Sequence, residues 1–508
     1  KGREDDRRLF ERGVKLNVMA MFDSTSLDVD TLVHGIDLSQ LGLIESLTAE
    51  DLTAVKDLFE HATTFGSLIQ VPQNLAEKLP ALKQLSETNS QDMFVKEVLE
   101  HLTPLVKQAE ILAAQYDAVV ANPPYMGARY QVTILKKYLK DNYQGYEKDF
   151  FSAFVDRNFS FSKCYGRLGF MSPFVWMFIS DYISLRERMI DKETISSLIQ
   201  LEYSGFEGAT VPICTFTLQK GHIEEIKGCY IRLSDFKGAL NQAPKTLEAI
   251  KNRDCGWLFE AAQDDFKKIP GSPVAYWLSV KAIDAFSMSQ NIKEVTPAAV
   301  GLQTGENERF VRRWFEVDYS NIGYNFNSCE DAKASLLKWF PYNKGGEFKK
   351  WFGNQDYIVN WQSDGKEIKN FHDGNGKLRS RPQNTNCYFK PSVSWSDITS
   401  GNISFRYFGE GFIYDVTGMS AQNSNDSLLK QTLAFCNSKI VSWIVKSLNP
   451  TLHFQVGNYH SLPYIDSVAK KVDVNKIKSC IDLSSQDSSL FETSFSFNYS
   501  PLTSNVLG

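Results

Sequence analysis

Between residues 47 and 112 apolar side chains recur at three- and four-residue steps, as at Val55, Leu58 and Phe59 and again at Val95, Val98, Leu99 and Leu102. That period predicts helices separated by polar turns, with a short strand over 65–71. The pattern then changes. Tyr116-Asp-Ala-Val-Val-Ala121 is a compact apolar run stopped by two prolines, which predicts a buried parallel strand ending in a loop. An aromatic-rich helix is expected over 149–161, a second strand over 166–173, a helix over 185–190, and strands over 195–203 and 213–220 joined through a 205–212 loop. Alternating strands and helices imply an α/β domain.

Past about Gly221 the strands become less regular and asparagine, glycine and aromatic residues more frequent, with helices expected mainly over 330–340 and 428–446. A second region starts here, and 484–504 is serine-rich, expected as loop or the start of a further segment.

The first of the two strand ends carries the candidate chemistry. Asn122-Pro123-Pro124-Tyr125 follows the apolar strand directly, and ligands of open α/β sheets sit outside the carboxyl ends of strands. For a planar exocyclic amine, the Asn122 side-chain oxygen and the Pro123 carbonyl can accept the two amine hydrogens, turning the nitrogen lone pair towards an electrophilic methyl group. Pro123 and Pro124 pre-set the backbone, and Tyr125 offers a π-face. No strong base is required, because the amine proton becomes acidic only after transfer. The same four residues also read as a plain turn, a use for which their types are common.

Composition narrows the class without naming a function. At 508 residues, 43% hydrophobic and 23% charged, the chain is long enough for two or three packed domains. Eight cysteines without a CxxC pair or metal-ligand spacing suggest a reducing cytoplasmic setting and no metal. No apolar run is long enough for a membrane span. The chain opens at Lys1 with charged residues and no signal-like segment, so a piece of a longer polypeptide is expected. Net charge is −5, so affinity for nucleic acid has to be local. Residues 333–390 hold eleven lysines and arginines against five acids, interleaved with Trp339, Phe340, Tyr342, Phe348, Trp351, Phe352 and Trp361. A solvated basic face would look the same; a phosphate-binding surface is the alternative.

The segment 121–127, reading ANPPYMG, resembles the catalytic motif of amino-group DNA methyltransferases, and the resemblance continues in order through 148–154, 166–176 and 206–220. Residues 301–305, 341–348, Ser394-Trp395, Arg406-Tyr407 and 449–457 are similar to segments of PglX-like adenine-specific methyltransferases of bacterial phage-exclusion (BREX) systems. The resemblance covers nearly the whole chain. It implies a Rossmann-like class I methyltransferase sheet, incomplete at its N-terminal side, followed by a mixed α+β target-recognition domain. The expected limits are 1–222 for the catalytic part with a helical insertion, 223–290 for a connecting segment, 291–466 for recognition and 467–508 for a tail.

The implied activity is adenine-N6 methylation of double-stranded DNA from S-adenosylmethionine, marking host DNA against phage, in company with other defence proteins. Asn122, Pro123, Pro124 and Tyr125 would be catalytic, Tyr125 and Phe206 would sandwich a flipped adenine, and Asn122 and Phe154 would touch the cofactor. Lys344, Lys349, Lys350, Arg379 and Arg381 would contact phosphates, whereas Arg406, Tyr407 and His453 are given no chemical role. One departure stands out. The glycine-rich donor loop of such enzymes is missing: before Asn122 the glycines are Gly2, Gly13, Gly35, Gly42 and Gly66, none in a GxG pair. Without the strand that precedes that loop, 116–121 is expected to be an unpaired edge, and the chain alone inactive.

Other readings share parts of this pattern. Release-factor glutamine methyltransferases carry a similar loop but resemble only the catalytic part, and cytosine-N4 enzymes usually begin theirs with Ser or Thr. A non-catalytic DNA-recognition module would account for the missing donor loop but not for an intact Asn122–Tyr125 segment.

Overall fold

The structure, a computed structural model, describes residues 17–36, 47–203, 205, 211–398, 402–448 and 453–497. It divides into two compact units, Lys1–Trp176 with Ser184–Glu260, and Met177–Ile183 with Ala261–Gly508.

The first unit begins with helices α1 (Val29–Gly35), α2 (Ala49–Leu58), α3 (Gln73–Ser86) and α4 (Met93–Ala113). In α4 the Asp92 carboxylate accepts from Phe94 N at 2.8 Å, supplying a partner for an amide that the helix itself leaves free. Val95, Val98, Leu99, Leu102, Leu105, Val106, Ala109 and Leu112 then form one buried stripe that shares a core with Leu75, Leu79, Leu82 and Leu85 of α3. The strand expected over 65–71 does not form. Ala62–Phe65 is a single helical turn followed by a 3₁₀ turn at Gly66–Leu68, and Gly66 takes φ +55°, which reverses the backbone where a strand would extend it. Phe65 stacks on Tyr138 with ring centroids 4.0 Å apart, so its apolar ring is used in helix packing.

Strand β1 (Tyr116–Ala121) leads through the Asn122–Tyr125 segment to helices α5 (Thr133–Asn142) and α6 (Phe150–Phe161), then to β2 (Ser162–Pro173). After α7 (Ile183–Lys192) come β3 (Glu193–Gln200), β4 (Ile213–Lys220), β5 (Lys227–Arg232), α8 (Ala239–Lys251) and β6 (Leu258–Ala262). The sheet runs β1-β2-β4-β3-β5-β6. Strands β1 and β2 pair in parallel, as do β3 and β5, while β4 runs antiparallel between β2 and β3. Strands β5 and β6 fall in the span 223–290 that was expected only to connect.

Strand β1 is an edge. Its residues are exposed or half-buried, and Val120 is 84% exposed. The apolar run that reads as a buried strand therefore has one hydrogen-bonded neighbour among the described residues, and its other side is open.

The second unit contains two four-stranded sheets. One orders Ile413–Tyr414, Trp339–Asn343, Tyr357–Asn360 and Val311–Arg313; the other orders Arg406–Phe408, Ser392–Ser394, Ser420–Gln422 and Ala298–Ala299. The helix expected over 330–340 is limited to Cys329–Ala334, because Leu336 takes φ +58° and Trp339 already lies in a strand. The helix expected over 428–446 is two, Asp426–Cys436 and Lys439–Leu448, broken at Asn437. There the Asn437 side chain exchanges hydrogen bonds with the Phe405 backbone, 3.1 and 2.9 Å long, which ties the break to the neighbouring strand region. Part of the expected tail is a capped helix, Val474–Ser489, begun by the Asp473 carboxylate. Among the described residues no helix is long and apolar enough to cross a membrane.

Candidate active site

The carboxyl ends of β1 and β2 lie side by side, with Ala121 opposite Phe170, and β2 continues to Pro173 paired with Ile213 of β4. The Asn122-Pro123-Pro124-Tyr125 segment leaves the sheet at this end. Pro123 is buried, which roots the segment, whereas Asn122 and Pro124 are exposed and Tyr125 is half-buried. The Tyr125 hydroxyl donates to Asn122 Oδ1 at 3.1 Å. Burial pushes the Tyr125 phenol up, with the neighbouring Cys214 thiol adding to the effect, and full burial lifts Cys214 itself to about 12. Tyr125 thus stays a neutral donor, and Asn122 Oδ1 is an exposed acceptor whose present partner comes from its own loop.

Just beyond Tyr125 the backbone is fixed from three directions. Met126 N donates to Asp149 Oδ1 at 3.1 Å, Phe150 N donates to Met126 O at 3.0 Å, and Gln131 Nε2 reaches the same carbonyl at 3.2 Å. Asp149 also caps α6 through Phe151 N at 3.3 Å. Burial raises the Asp149 carboxyl, partly offset by the amides of Phe151, Met126 and Phe150.

The far end of α6 is anchored by Arg157, which donates to Ser67 O at 3.0 Å, Ile69 O at 2.8 Å and Leu112 O at 2.9 Å, with its guanidinium 3.8 Å from the Phe161 ring. Under β2, Trp176 and Phe170 both pack on Phe216, at 5.1 and 5.2 Å, and Arg186 Nη1 donates to Trp176 O at 2.7 Å. None of Asp149, Arg157 and Arg186 was singled out from the sequence. Only Asp149 left a signal there, as an acidic residue just ahead of a helical aromatic run.

Phe154 is half-buried, edge-on to Phe150 at 4.9 Å, and packs in the same small cluster as Met126. Phe206 lies outside the described residues. The described ends of its connecting segment, Gln200 and Ile213, sit at the same end of the sheet as Ala121 and Pro173, because β3 runs parallel to β2 and β4 opposes both.

In the second unit the structure separates the five expected phosphate contacts. Lys349, Arg379 and Arg381 are exposed. Lys344 is half-buried with its ammonium 5.7 Å from the Tyr357 ring centroid, and burial lowers its pKa. Lys350 Nζ donates to Asn437 O at 2.9 Å, at the break between two helices, so this lysine has an internal task. Lys349 and Lys350 line a cavity of 720 Å³ together with Arg313, and Leu483, Asp487 and Phe491 form part of its wall. Of the seven interleaved aromatics, Trp339, Phe340, Tyr342 and Trp361 are buried, Trp351 and Phe352 are half-buried, and Phe348 is 54% exposed. Most of that aromatic pattern is core.

Arg406 is buried, donates to Ser396 Oγ at 2.9 Å and is drawn down to about 10 by desolvation. His453 Nδ1 sits 3.2 Å from Asp397 Oδ2. Among the described residues no group of three or more His, Cys, Asp or Glu gathers as metal ligands would.

Comparison with known proteins bears on this site. The family model described as Eco57I restriction-modification methylase matches residues 33–206. The "Adenine-specific methyltransferase PglX" of Lacticaseibacillus casei (strain Zhang) is 31% identical, over 99% of this chain and 42% of that protein. The "Adenine-specific methyltransferase BrxX" of Escherichia coli O9:H4 (strain HS) is 32% identical, over 98% of this chain and 41% of that protein. The chain thus spans about two fifths of the length of these curated relatives. Among solved structures, the Type IIL restriction-modification enzyme MmeI in complex with DNA shows a distant likeness, with TM-score 0.47 and 11% identity over 77% of this chain and 52% of that one.

Proposed function

We propose that this chain, homologous along nearly all of its length to the adenine-specific methyltransferases PglX and BrxX, supplies the base-presenting half of a DNA adenine-N6 methyltransferase. The observation that carries this reading is the exposed Asn122 Oδ1 at the carboxyl end of β1, held next to the Tyr125 ring and backed by the buried Pro123. Asn122 Oδ1 and Pro123 O would accept the two hydrogens of the adenine amine and leave its lone pair directed out of the base plane. For this to occur the Tyr125 hydroxyl has to release Asn122, and its ring then stacks on the extruded base, recovering part of the few kcal/mol that flipping costs. Phe206 is the proposed second face of that sandwich. No general base is needed in the segment, since the proton is lost after transfer.

On the donor side the residues fit only in part. S-adenosylmethionine would supply the electrophilic methyl group, and Asn122 and Phe154 would border it. Yet no Gly-x-Gly turn follows an apolar strand before Asn122, and among the described residues no strand pairs with the outer edge of β1. The 508 residues alone are therefore expected to lack turnover. The second unit is the proposed recognition part, with Lys349, Arg379 and Arg381, and to a lesser extent Lys344, set against phosphates of double-stranded DNA. The biological role that follows is marking of host DNA in a phage-defence system with further protein components.

The test measures transfer of labelled methyl groups to unmethylated bacterial DNA by three proteins: this chain, a version extended upstream through a donor loop, and the extended version carrying Asn122→Ala. Full activity is expected only in the second and none in the first, with Asn122→Ala slower by about 10²–10³-fold, the usual scale for removing one group that acts on developing charge, and DNA binding retained. Normal turnover by Asn122→Ala would end the acceptor assignment; turnover by the 508-residue chain would end the claim that the donor side is incomplete.

A further inference from the structure

The Asn122–Tyr125 segment owes its pitch to a carboxylate outside the motif. We infer that Asp149 is a positioning residue for the acceptor loop, gripping the Met126 amide while it caps α6, so that the loop is set by the first turn of that helix. An ordinary N-cap needs to satisfy only an amide of its own helix. Here Asp149 Oδ1 also takes the amide of a residue 23 positions upstream, one step past Tyr125. The two backbones are joined as well, by Phe150 N to Met126 O at 3.0 Å and Ala128 N to Lys148 O at 3.1 Å, with Gln131 on the same Met126 carbonyl. On the upstream side Ala121 is fixed in the sheet by its pairing with β2. The exposed acceptor is thereby suspended between two fixed points, β1 and the Asp149 clasp. A misplacement of about 1 Å at such a group is enough to cost on the order of 10²-fold in rate.

This role rests on the acceptor reading above, and the test separates the two. Single-turnover methyl transfer, DNA affinity and thermal midpoint are measured in the upstream-extended chain for Asp149→Ala, Asp149→Asn and Asp149→Ser, beside Asn122→Ala. Asp149→Ala is expected to slow transfer by about 10–100-fold with DNA affinity little changed. Asp149→Asn keeps an acceptor oxygen at the same reach and is expected to recover most of the loss. Asp149→Ser still caps the helix but is too short to reach Met126 N, so it should match the parent in thermal midpoint and Asp149→Ala in rate. If Asp149→Ala turns over normally while Asn122→Ala does not, the positioning role is wrong and the acceptor reading survives. Rates that merely follow the thermal midpoint, or an Asn variant as slow as Ala, also overturn it. Should Asn122→Ala transfer normally, the acceptor reading falls and the role of Asp149 with it.

Discussion

On the proposed reading, the Tyr125 hydroxyl and an adenine amine would compete for one oxygen. With the hydroxyl 3.1 Å from Asn122 Oδ1, capture of a base would exchange one hydrogen bond for another, while the proposed stacking would need the ring throughout. Tyr125→Phe should therefore leave transfer within about fivefold of the parent, the equivalent of one neutral hydrogen bond of ~1 kcal/mol. Tyr125→Ala should weaken capture of the extruded base by the roughly 1–3 kcal/mol of a base–aromatic stack. Fluorescence of 2-aminopurine at the target position reads the two apart; equal losses would mean that the hydroxyl, not the ring, is what matters. The motif itself was legible because strand, prolines and acceptor are contiguous. Asp149 was legible only as a helix cap, since its bond to Met126 links two residues that no periodicity relates. Trp339 and Trp361, which the sequence shows only as aromatics interleaved with lysines, belong to the core: interleaving shows composition, not which way a strand faces, and both rings are buried.

Helix α6 is the element on which the proposed site would depend, capped at its start by Asp149 and anchored at its end by Arg157. The guanidinium supplies donors to Ser67, Ile69 and Leu112 carbonyls, the last of these among the carbonyls that α4 leaves without helical partners. Arg157→Met would bury those acceptors unsatisfied, at about 1–3 kcal/mol each if none finds water. Release from burying the guanidinium charge offsets part of that, leaving a net loss of about 3–5 kcal/mol, or a fall of roughly 6–20 °C in the melting of a unit this size. Arg157→Lys should not rescue it, since one ammonium cannot span the fork that reaches three carbonyls. Thermal unfolding followed by circular dichroism decides; an unchanged midpoint would show that the helical segment is held by its apolar core alone. Helices α2 and α4 were readable from their apolar three- and four-residue steps. The break at Asn437 was not, because its cause is the Phe405 backbone, distant in sequence.

For the molecule as a whole, 55 basic and 60 acidic residues leave no attractive global field for DNA. Affinity, if the second unit binds a duplex, has to come from a few local cations, and its salt dependence counts them. Each phosphate neutralised contributes about 0.9 to the slope of log K against log salt. Replacing Lys349, Arg379 and Arg381 together by alanine should lower the slope by about 2.7, three such contacts, with little change in folding because all three are exposed. Lys350→Ala should behave in the opposite way. Its ammonium is engaged at Asn437 O, where it completes a helix end, so its loss should lower the thermal midpoint and leave the salt slope unchanged. Anisotropy titrations between about 50 and 200 mM salt, the range over which such contacts are readily resolved, distinguish these outcomes. A slope that drops equally for Lys349→Ala and Lys350→Ala would mean that the ammonium leaves Asn437 when DNA arrives. A slope indifferent to all four would move the duplex to a different face, and with it the assignment of this unit to recognition.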